Sequence, residues 1–162
     1  MPQIVLFQPQ IPPNTGNVAR TCVATGSPLH LIEPLGFSLD ERQLKRAGLD
    51  YWPALQLSLH ANPELFLAER RRSGGRLLGF SSHADLRYDH FDYAKEDWLL
   101  FGRETDGLPQ DLLRSCDQQL RIPIRPWQPG QREGVRSLNL SVAVAVALFE
   151  ALRQLRLAGA AE

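Results

Sequence analysis

Short apolar runs alternate with helix-like segments along almost the whole chain, and this alternation constrains the fold more than any other feature. The runs are short, and several contain the β-branched or aromatic residues that strands favour. Because strands and helices alternate, the sequence predicts an α/β fold with a mostly parallel sheet flanked by helices. The predicted strands are Ile4–Phe7, Leu29–Ile32, Leu55–Leu59, Leu77–Phe80, Trp98–Phe101 and Leu120–Ile122.

Capping residues, prolines and glycines indicate where the helices begin and end. Asparagine and aspartate are expected at the helix starts, and glycine is expected just after the helix ends. The predicted helices are Thr15–Thr25 between Asn14 and Gly26, Glu41–Ala47 between Asp40 and Gly48, Glu64–Arg72 after Asn62-Pro63, Pro109–Cys116, and a last helix from Ser137 or Asn139 to about Leu157.

The length and charge of the chain limit its class. The 162 residues suffice for a hydrophobic core, and we expect one domain over residues 1–162. With 18 basic and 18 acidic residues the formal net charge is zero, which argues against a generic nucleic-acid coat but allows a local basic face. The longest apolar run, Val142–Phe149, is far shorter than a membrane span, and the start "MPQIVLF" lacks the basic region of a signal peptide. We therefore expect a cytoplasmic protein without a membrane partner.

The cysteines and histidines do not indicate a metal site. Cys22 and Cys116 lack a metal-binding spacing and are expected to be reduced and buried. No two histidines form a ligand pair at helical spacing, so no metal is expected. The histidines are His30, His60, His83 and His90.

Three unusual segments follow the first, fifth and sixth predicted strands. In doubly wound folds, ligands bind at the carboxyl ends of strands. The segments are "QPQIPPNTGNVAR" (8–20), "GRETDGLP" (102–109) and "IPIRPWQPGQREGVRSLNLS" (122–141). The second is neither a Rossmann fingerprint nor a P-loop, since its glycine spacing differs and no Gly-Lys-Ser/Thr follows.

Each segment has a functional and an ordinary interpretation. The first can bind an anion at a helix N-terminus, with Arg20 nearby, or Asn14 can simply cap that helix. In the second, Glu104 can accept hydrogen bonds within the loop, or the loop can be a tight turn with surface charges. In the third, Ser137 and Asn139 can be ordinary caps.

The last helix is apolar on nearly all sides from Val142 to Phe149. Such a helix lies either fully inside a protein or against a partner chain. A dimer interface on this helix is therefore expected.

Taken in order, the three segments resemble the three motifs of the SPOUT superfamily of RNA methyltransferases. The resemblance rests on "LFQPQIPPNTGNVARTCVATG", "FGRETDGLP" and "IPIRP…RSLNLSVAVAVALFEA", with local similarity in "HLIEPLGF" and "KRAGLDYW". It extends from Ile4 to about Gln154. The chain is most similar to the small tRNA (cytidine/uridine 2′-O)-methyltransferases that modify the wobble nucleotide.

The resemblance implies a fold, a cofactor and a set of site residues. The sheet would carry a C-terminal trefoil knot, an exception to the rule against knotted chains. The cofactor would be S-adenosylmethionine, the substrate tRNA, and the enzyme a homodimer with its first and last helices at the interface. The positions that match cofactor contacts are Phe80, Gly102, Ile122, Ser137 and Leu138, and the matched catalytic positions are Asn14, Arg20, Glu104, Ser137 and Asn139.

In this family a ribose 2′-hydroxyl attacks a sulfonium methyl group, which requires in-line alignment and removal of the hydroxyl proton. A guanidinium is a poor base because it stays protonated near neutral pH. Our hypothesis is that Arg20 positions an RNA phosphate and polarises the hydroxyl. Glu104 and Asn139 would order the loops and orient Arg20 or the ribose.

The sequence departs from the family pattern at three places. The segment between Pro126 and Arg136 is longer and carries Trp127 and Arg132, which could stack on a base or bind phosphate. Phe149 replaces a tyrosine that is frequent in relatives, and "SSHA" (81–84) replaces a lysine-containing segment. Three alternatives therefore stay open: another RNA site as substrate, a catalytically silent RNA-binding dimer, and a generic nucleotide-binding α/β protein.

Overall fold

A seven-stranded parallel sheet forms the centre of the computed structural model, which describes residues 1–40, 50–125 and 134–159. The strand order is β3-β2-β1-β6-β4-β7-β5, and every adjacent pair is parallel. The predicted α/β class is thus confirmed. The strands are β1 Gln3–Phe7, β2 Leu29–Ile32, β3 Leu57–His60, β4 Leu77–Phe80, β5 Leu86–Arg87, β6 Trp98–Phe101 and β7 Gln118–Arg121.

Four α-helices are present among the described residues. They are α1 Pro12–Thr25, α2 Pro63–Ser73, α3 Gln110–Arg114 and α4 Leu140–Gly159. Short 3-10 turns cover Trp52–Ala54 and Tyr88–His90. The predicted helix Glu41–Ala47 and its end at Gly48 lie outside the described residues. No helix in the described part of the chain is long and apolar enough to cross a membrane.

The start of α1 differs from the prediction. The helix begins at Pro12, with Ile11 at the N-cap position, so the expectation that Asn14 caps it is wrong. Pro12 and Pro13 fix helical φ angles where no backbone N–H is needed, and this sets the earlier start. Gly26 ends the helix with φ of 72°, as predicted.

The strand predictions differ from the structure in detail. Leu55 donates its backbone N–H to Trp52 and closes the 3-10 turn, so β3 starts only at Leu57. At the other edge, β7 begins with the polar residues Gln118 and Gln119 because they pair with β4. The two-residue strand β5 was not among the predicted strands, because it is too short to leave an apolar run in the sequence.

The strands alternate their side chains between two cores, which explains their almost continuous apolar sequence. One core packs β1, β2 and β6 against α1 and α4, and it includes Ile4, Leu6, Leu29, Leu99, Val18 and Leu148. The other packs the opposite sheet face against α2 and α3, and it includes Val5, Ile32, Leu100, Phe66 and Leu112. Because β1 lies beside β6, the loops that follow them are neighbours at the carboxyl edge of the sheet.

Candidate active site

Glu104 binds the start of α1 from a loop that is distant in sequence. Its carboxylate accepts hydrogen bonds from the backbone N–H groups of Gln10 and Ile11, at 2.9 and 3.0 Å. It also accepts a hydrogen bond of 3.3 Å from the side-chain amide of Asn14. Gln10 and Ile11 directly precede α1, and the partial positive charge at the start of a helix favours an anionic acceptor there. Glu104 therefore fixes the segment that leads into α1.

Asn14 extends this contact to the last helix. Its side-chain oxygen accepts a hydrogen bond of 2.9 Å from the amide of Asn139. The Asn139 side-chain oxygen in turn accepts from the backbone N–H and the hydroxyl of Ser141, so Asn139 caps α4. One chain of hydrogen bonds, Glu104–Asn14–Asn139, thus joins the three segments singled out in the sequence. We call it the carboxylate–amide chain.

The glycines of the 102–109 loop are required by the loop itself. Arg103 and Gly107 exchange two backbone hydrogen bonds of 3.1 and 3.0 Å, which fold the loop back on itself. A Cβ atom on Gly102 would lie only 2.1 Å from the carbonyl carbon of Gly107. Gly107 has φ of 71°, a conformation that favours glycine. The resemblance implies that Gly102 contacts the cofactor. The close approach of Gly107 gives a second reason for a glycine at position 102.

Replacing Gly102 with alanine should therefore lower the free energy of unfolding by about 1–3 kcal/mol, since the added methyl group overpacks the loop. Gly16→Ala is the matched control, because no atom lies within 4 Å of a Cβ added there. Alanine favours the helix, so the control should be neutral or stabilising by up to about 1 kcal/mol. Urea unfolding measures both variants, and equal stability of Gly102→Ala and wild type would contradict this view of the loop.

Three of the five positions matched to cofactor contacts lie at the carboxyl edge of the sheet. Phe80 ends β4, Gly102 follows β6 and Ile122 follows β7, and these three strands are adjacent. The Phe80 ring stacks on Phe101 with centroids 4.5 Å apart and an interplanar angle of 14°. Ser137, exposed, and Leu138, half-buried, precede α4. Trp127 and Arg132, in the segment that is longer than in the family pattern, lie outside the described residues.

Arg20 lies on the exposed side of α1, and within the described ranges no ion pair involves it. Its guanidinium carbon lies 5.3 Å from the centre of the Tyr51 ring. Glu104 bonds instead to the start of the same helix. Any effect of Glu104 on Arg20 therefore passes through the position of α1.

Comparison with known proteins identifies the family. Residues 1–149 match the SpoU rRNA methylase family. The chain belongs to this family. A tRNA (cytidine(34)-2′-O)-methyltransferase from a Polaromonas species is 47% identical to this SpoU methylase over 156 residues, which covers 96% of this chain and 92% of that protein.

Solved structures agree with this assignment. One, described as "Structural insights into the 2-OH methylation of C/U34 on tRNA", is 49% identical with a TM-score of 0.84 and covers 95% of each chain. The AdoMet-bound rRNA methyltransferase from Sinorhizobium meliloti is 30% identical with a TM-score of 0.79, over 94% of this chain and 56% of that one. Both share the α/β fold of this SpoU methylase.

Sequence reasoning missed a second set of contacts between the first two loops. The Arg103 guanidinium forms a two-pronged ion pair with Asp106, at 2.6 and 2.7 Å, and donates to the side chain of Gln8 at 2.7 Å. The hydroxyl of Thr105 donates to the side chain of Gln10 at 2.9 Å. Hydrogen bonding to Arg103 lowers the pKa of Asp106. The sequence signal for this pairing is a polar residue at every second position, Gln8 and Gln10 in "QPQ" and Arg103 and Thr105 in "RET".

Two histidines meet on neighbouring strands of this SpoU methylase, a contact that the search for helical spacing could not detect. His30 of β2 and His60 of β3 have ring nitrogens 3.0 Å apart, and Glu69 of α2 lies 3.6 Å from His60. Nitrogen and oxygen atoms of the three residues lie within 4.8 Å of one another, close enough to bind a metal ion. The centroids of the two rings are 5.3 Å apart, and the two facing nitrogens are 3.0 Å apart. The difference is about two ring radii, as expected when both nitrogens lie on the line between the ring centres. The two nitrogens therefore point at each other, as in a hydrogen bond.

This buried pair makes stability depend on pH. Burial, together with the neighbouring His60, lowers the pKa of His30 from 6.5 to about 4. Between these values the unfolded chain binds a proton that the folded chain does not, so stability falls as the pH falls from 6.5 towards 4. We expect a loss of about 3 kcal/mol over that window.

Urea unfolding at pH 7 and pH 5 measures this effect. His30→Gln should weaken the pH dependence, whereas His83→Gln, which replaces an exposed histidine, should leave it unchanged. An unfolding free energy that stays constant between the two pH values in wild type would refute the account of His30.

Proposed function

We propose that this SpoU methylase transfers a methyl group from S-adenosylmethionine to the ribose 2′-hydroxyl of the wobble nucleotide, cytidine or uridine, in tRNA. The observation that carries the proposal is the carboxylate–amide chain, which joins the three motif segments through Glu104, Asn14 and Asn139. Relatives named for methylation of nucleotide 34 cover almost the whole chain and support the choice of substrate.

The residues at the carboxyl edge suit S-adenosylmethionine. The stacked Phe80 ring and the half-buried Ile122 and Leu138 offer apolar surface for an adenine, and the tight loop after Gly102 presents backbone polar groups. We assign these residues and Ser137 to cofactor binding. The cofactor supplies an electrophilic sulfonium methyl group. An AdoMet-bound relative of similar fold supports this assignment.

The protein's own contribution is alignment and charge. Arg20, exposed and without an ion pair among the described residues, binds a phosphate of the RNA and polarises the attacking hydroxyl. Glu104 fixes the start of α1 and hence the position of Arg20, and Asn14 and Asn139 hold α4 against it. Ser137 lies beside Asn139, where it can contact the ribose or the cofactor. No metal ion takes part in this scheme.

A homodimer belongs to the same proposal. Along α4 one face is buried in the core, while Val142 and Phe149 are 47% and 52% exposed. Ile11, at the start of α1, is also exposed at 45%. Exposed apolar side chains on α4 and just before α1 support an interface between two copies built from these helices.

The remaining parts of the proposal concern topology and location. Residues 1–162 act as one domain, whose C-terminal part threads a loop to form a trefoil knot. Since the substrate is tRNA, the enzyme works in the cytoplasm. The family's name and a relative of rRNA specificity make rRNA the second candidate substrate.

Transfer of tritium from methyl-labelled S-adenosylmethionine tests the proposal. Purified protein is incubated with unmodified tRNA and, separately, with unmodified rRNA from the same source. Label in tRNA alone supports the proposal, and label in rRNA alone supports the second candidate. Tight binding of S-adenosylmethionine without label in either RNA would indicate a silent RNA-binding protein, and absence of binding would overturn the assignment.

A further inference from the structure

Tyr51 packs against α1 beside Arg20. Its hydroxyl donates a hydrogen bond of 2.9 Å to the backbone carbonyl of Gly16. The guanidinium carbon of Arg20 lies 5.3 Å from the centre of the Tyr51 ring, within the range of a cation–π contact. Gly16 precedes Arg20 by one helical turn, so both contacts are on the same side of the helix. The ring is thus attached to the turn that carries Arg20.

The contact holds Arg20 without neutralising it. Arg103 offers a comparison inside the same protein, because its guanidinium also lies over a ring, 5.0 Å from the centre of Phe7. Arg103, however, is paired with the carboxylate of Asp106. A carboxylate partner offers its own negative charge to a guanidinium, whereas an aromatic ring attracts the cation and leaves its positive charge available to an anion.

We propose that Tyr51 is a positioning residue for Arg20, whose ring holds the guanidinium ready for an RNA phosphate and the 2′-hydroxyl. This inference rests on the proposed function, because it assigns Tyr51 a role that is exerted through Arg20. The residue belongs to none of the three motif segments. It lies in the segment of local similarity "KRAGLDYW", whose last two residues are Tyr51 and Trp52.

The protonation of Tyr51 is consistent with this role. Burial raises the pKa of its phenol above the ordinary value of 10; the nearby Arg20 opposes this shift without cancelling it, and Asp50 adds to it. The phenol therefore stays protonated at neutral pH, so that it can donate to Gly16. It is correspondingly poorly suited to remove the proton of the 2′-hydroxyl.

Two substitutions separate the ring from the hydroxyl. Tyr51→Leu removes the aromatic platform and should lower kcat by about tenfold, the scale expected for a cation–π contact that is partly shielded from water. Tyr51→Phe keeps the ring and should stay within about threefold of wild type. The Kd for S-adenosylmethionine should change less than about twofold in both variants, since Tyr51 contacts Arg20 and Gly16 and none of the residues assigned to cofactor binding.

Tyr88→Leu is the matched control. Tyr88 is also half-buried and packs on the same core, but it follows β5, at the opposite edge of the sheet from β3. Its replacement should leave kcat unchanged even if the unfolding temperature falls. The Arg20 Nε–H signal in a nitrogen–proton NMR spectrum gives a direct readout, because the Tyr51 ring current should displace it in wild type and Tyr51→Phe, but not in Tyr51→Leu.

The outcomes are distinct. An active wild type, a slow Tyr51→Leu variant and an Arg20 signal that moves only in that variant support the role. Tyr51→Leu with wild-type kcat, or with an unmoved Arg20 signal, overturns it. If the wild type does not methylate tRNA, the proposed function itself is wrong. If the wild type is active, the results with the variants bear only on the role of Tyr51.

Discussion

Replacing Arg20 with alanine should lower the rate of methyl transfer to tRNA by about 100-fold or more, the scale of a group that acts directly on the reacting hydroxyl. The affinity for S-adenosylmethionine should stay within about twofold of wild type, because Arg20 lies on α1 and not among the residues that we assign to cofactor binding. Single-turnover kinetics and calorimetric titration of the cofactor measure the two quantities separately.

The control for Arg20 is Arg71→Ala. Arg71 is an exposed arginine on α2, which packs on the opposite face of the sheet from α1. Its loss removes the same charge and should change the rate little. If Arg20→Ala weakens cofactor binding as strongly as it slows transfer, Arg20 does not have the role assigned here.

Replacing Glu104 with glutamine should impair both stability and activity. The carboxylate accepts two backbone N–H groups and one side-chain amide, and it faces the positive end of α1. A glutamine side chain lacks the charge and offers only one accepting oxygen. Because hydrogen bonds to charged groups are the stronger ones, the free energy of unfolding should fall by about 2–4 kcal/mol.

The activity of Glu104→Gln should fall by about 100-fold, because the start of α1 and the 102–109 loop lose their common contact. Cofactor binding should weaken as well, which distinguishes this variant from Arg20→Ala. Urea unfolding and the same kinetic assays report these effects. Glu96→Gln, at an exposed acid before β6, should match wild type. A Glu104→Gln enzyme of unchanged stability would show that the carboxylate–amide chain does not hold the site together.

The parts of the fold that sequence predicted well are set by local or repetitive features. The central strands β4 and β6 are apolar throughout because both sheet faces are covered, and Gly26 ends α1 because its φ of 72° favours glycine. Asn62 caps α2 through a hydrogen bond of 2.9 Å to the N–H of Leu65, only three residues away. The residues that determine these features lie within a few positions of one another in the sequence.

The errors arose where distant residues decide the outcome. Asn14 is a residue type that often caps helices, but α1 begins earlier, at Pro12, and the Asn14 side chain instead donates to Glu104, 90 residues away. His30 and His60 meet only because β2 and β3 pair in a register that helical spacing does not reveal. The site residues themselves came from the resemblance, since each segment alone was equally consistent with ordinary caps and turns.

The position of the methyl group on the RNA tests the central claim most directly. Transfer RNA treated with the enzyme and S-adenosylmethionine is digested with nucleases, and the fragments are analysed by mass spectrometry. The account predicts one added methyl group on the ribose of the wobble cytidine or uridine, with that nucleotide's 3′ bond resistant to alkali. A methyl group on a base, or on a ribose elsewhere in the tRNA, would contradict it.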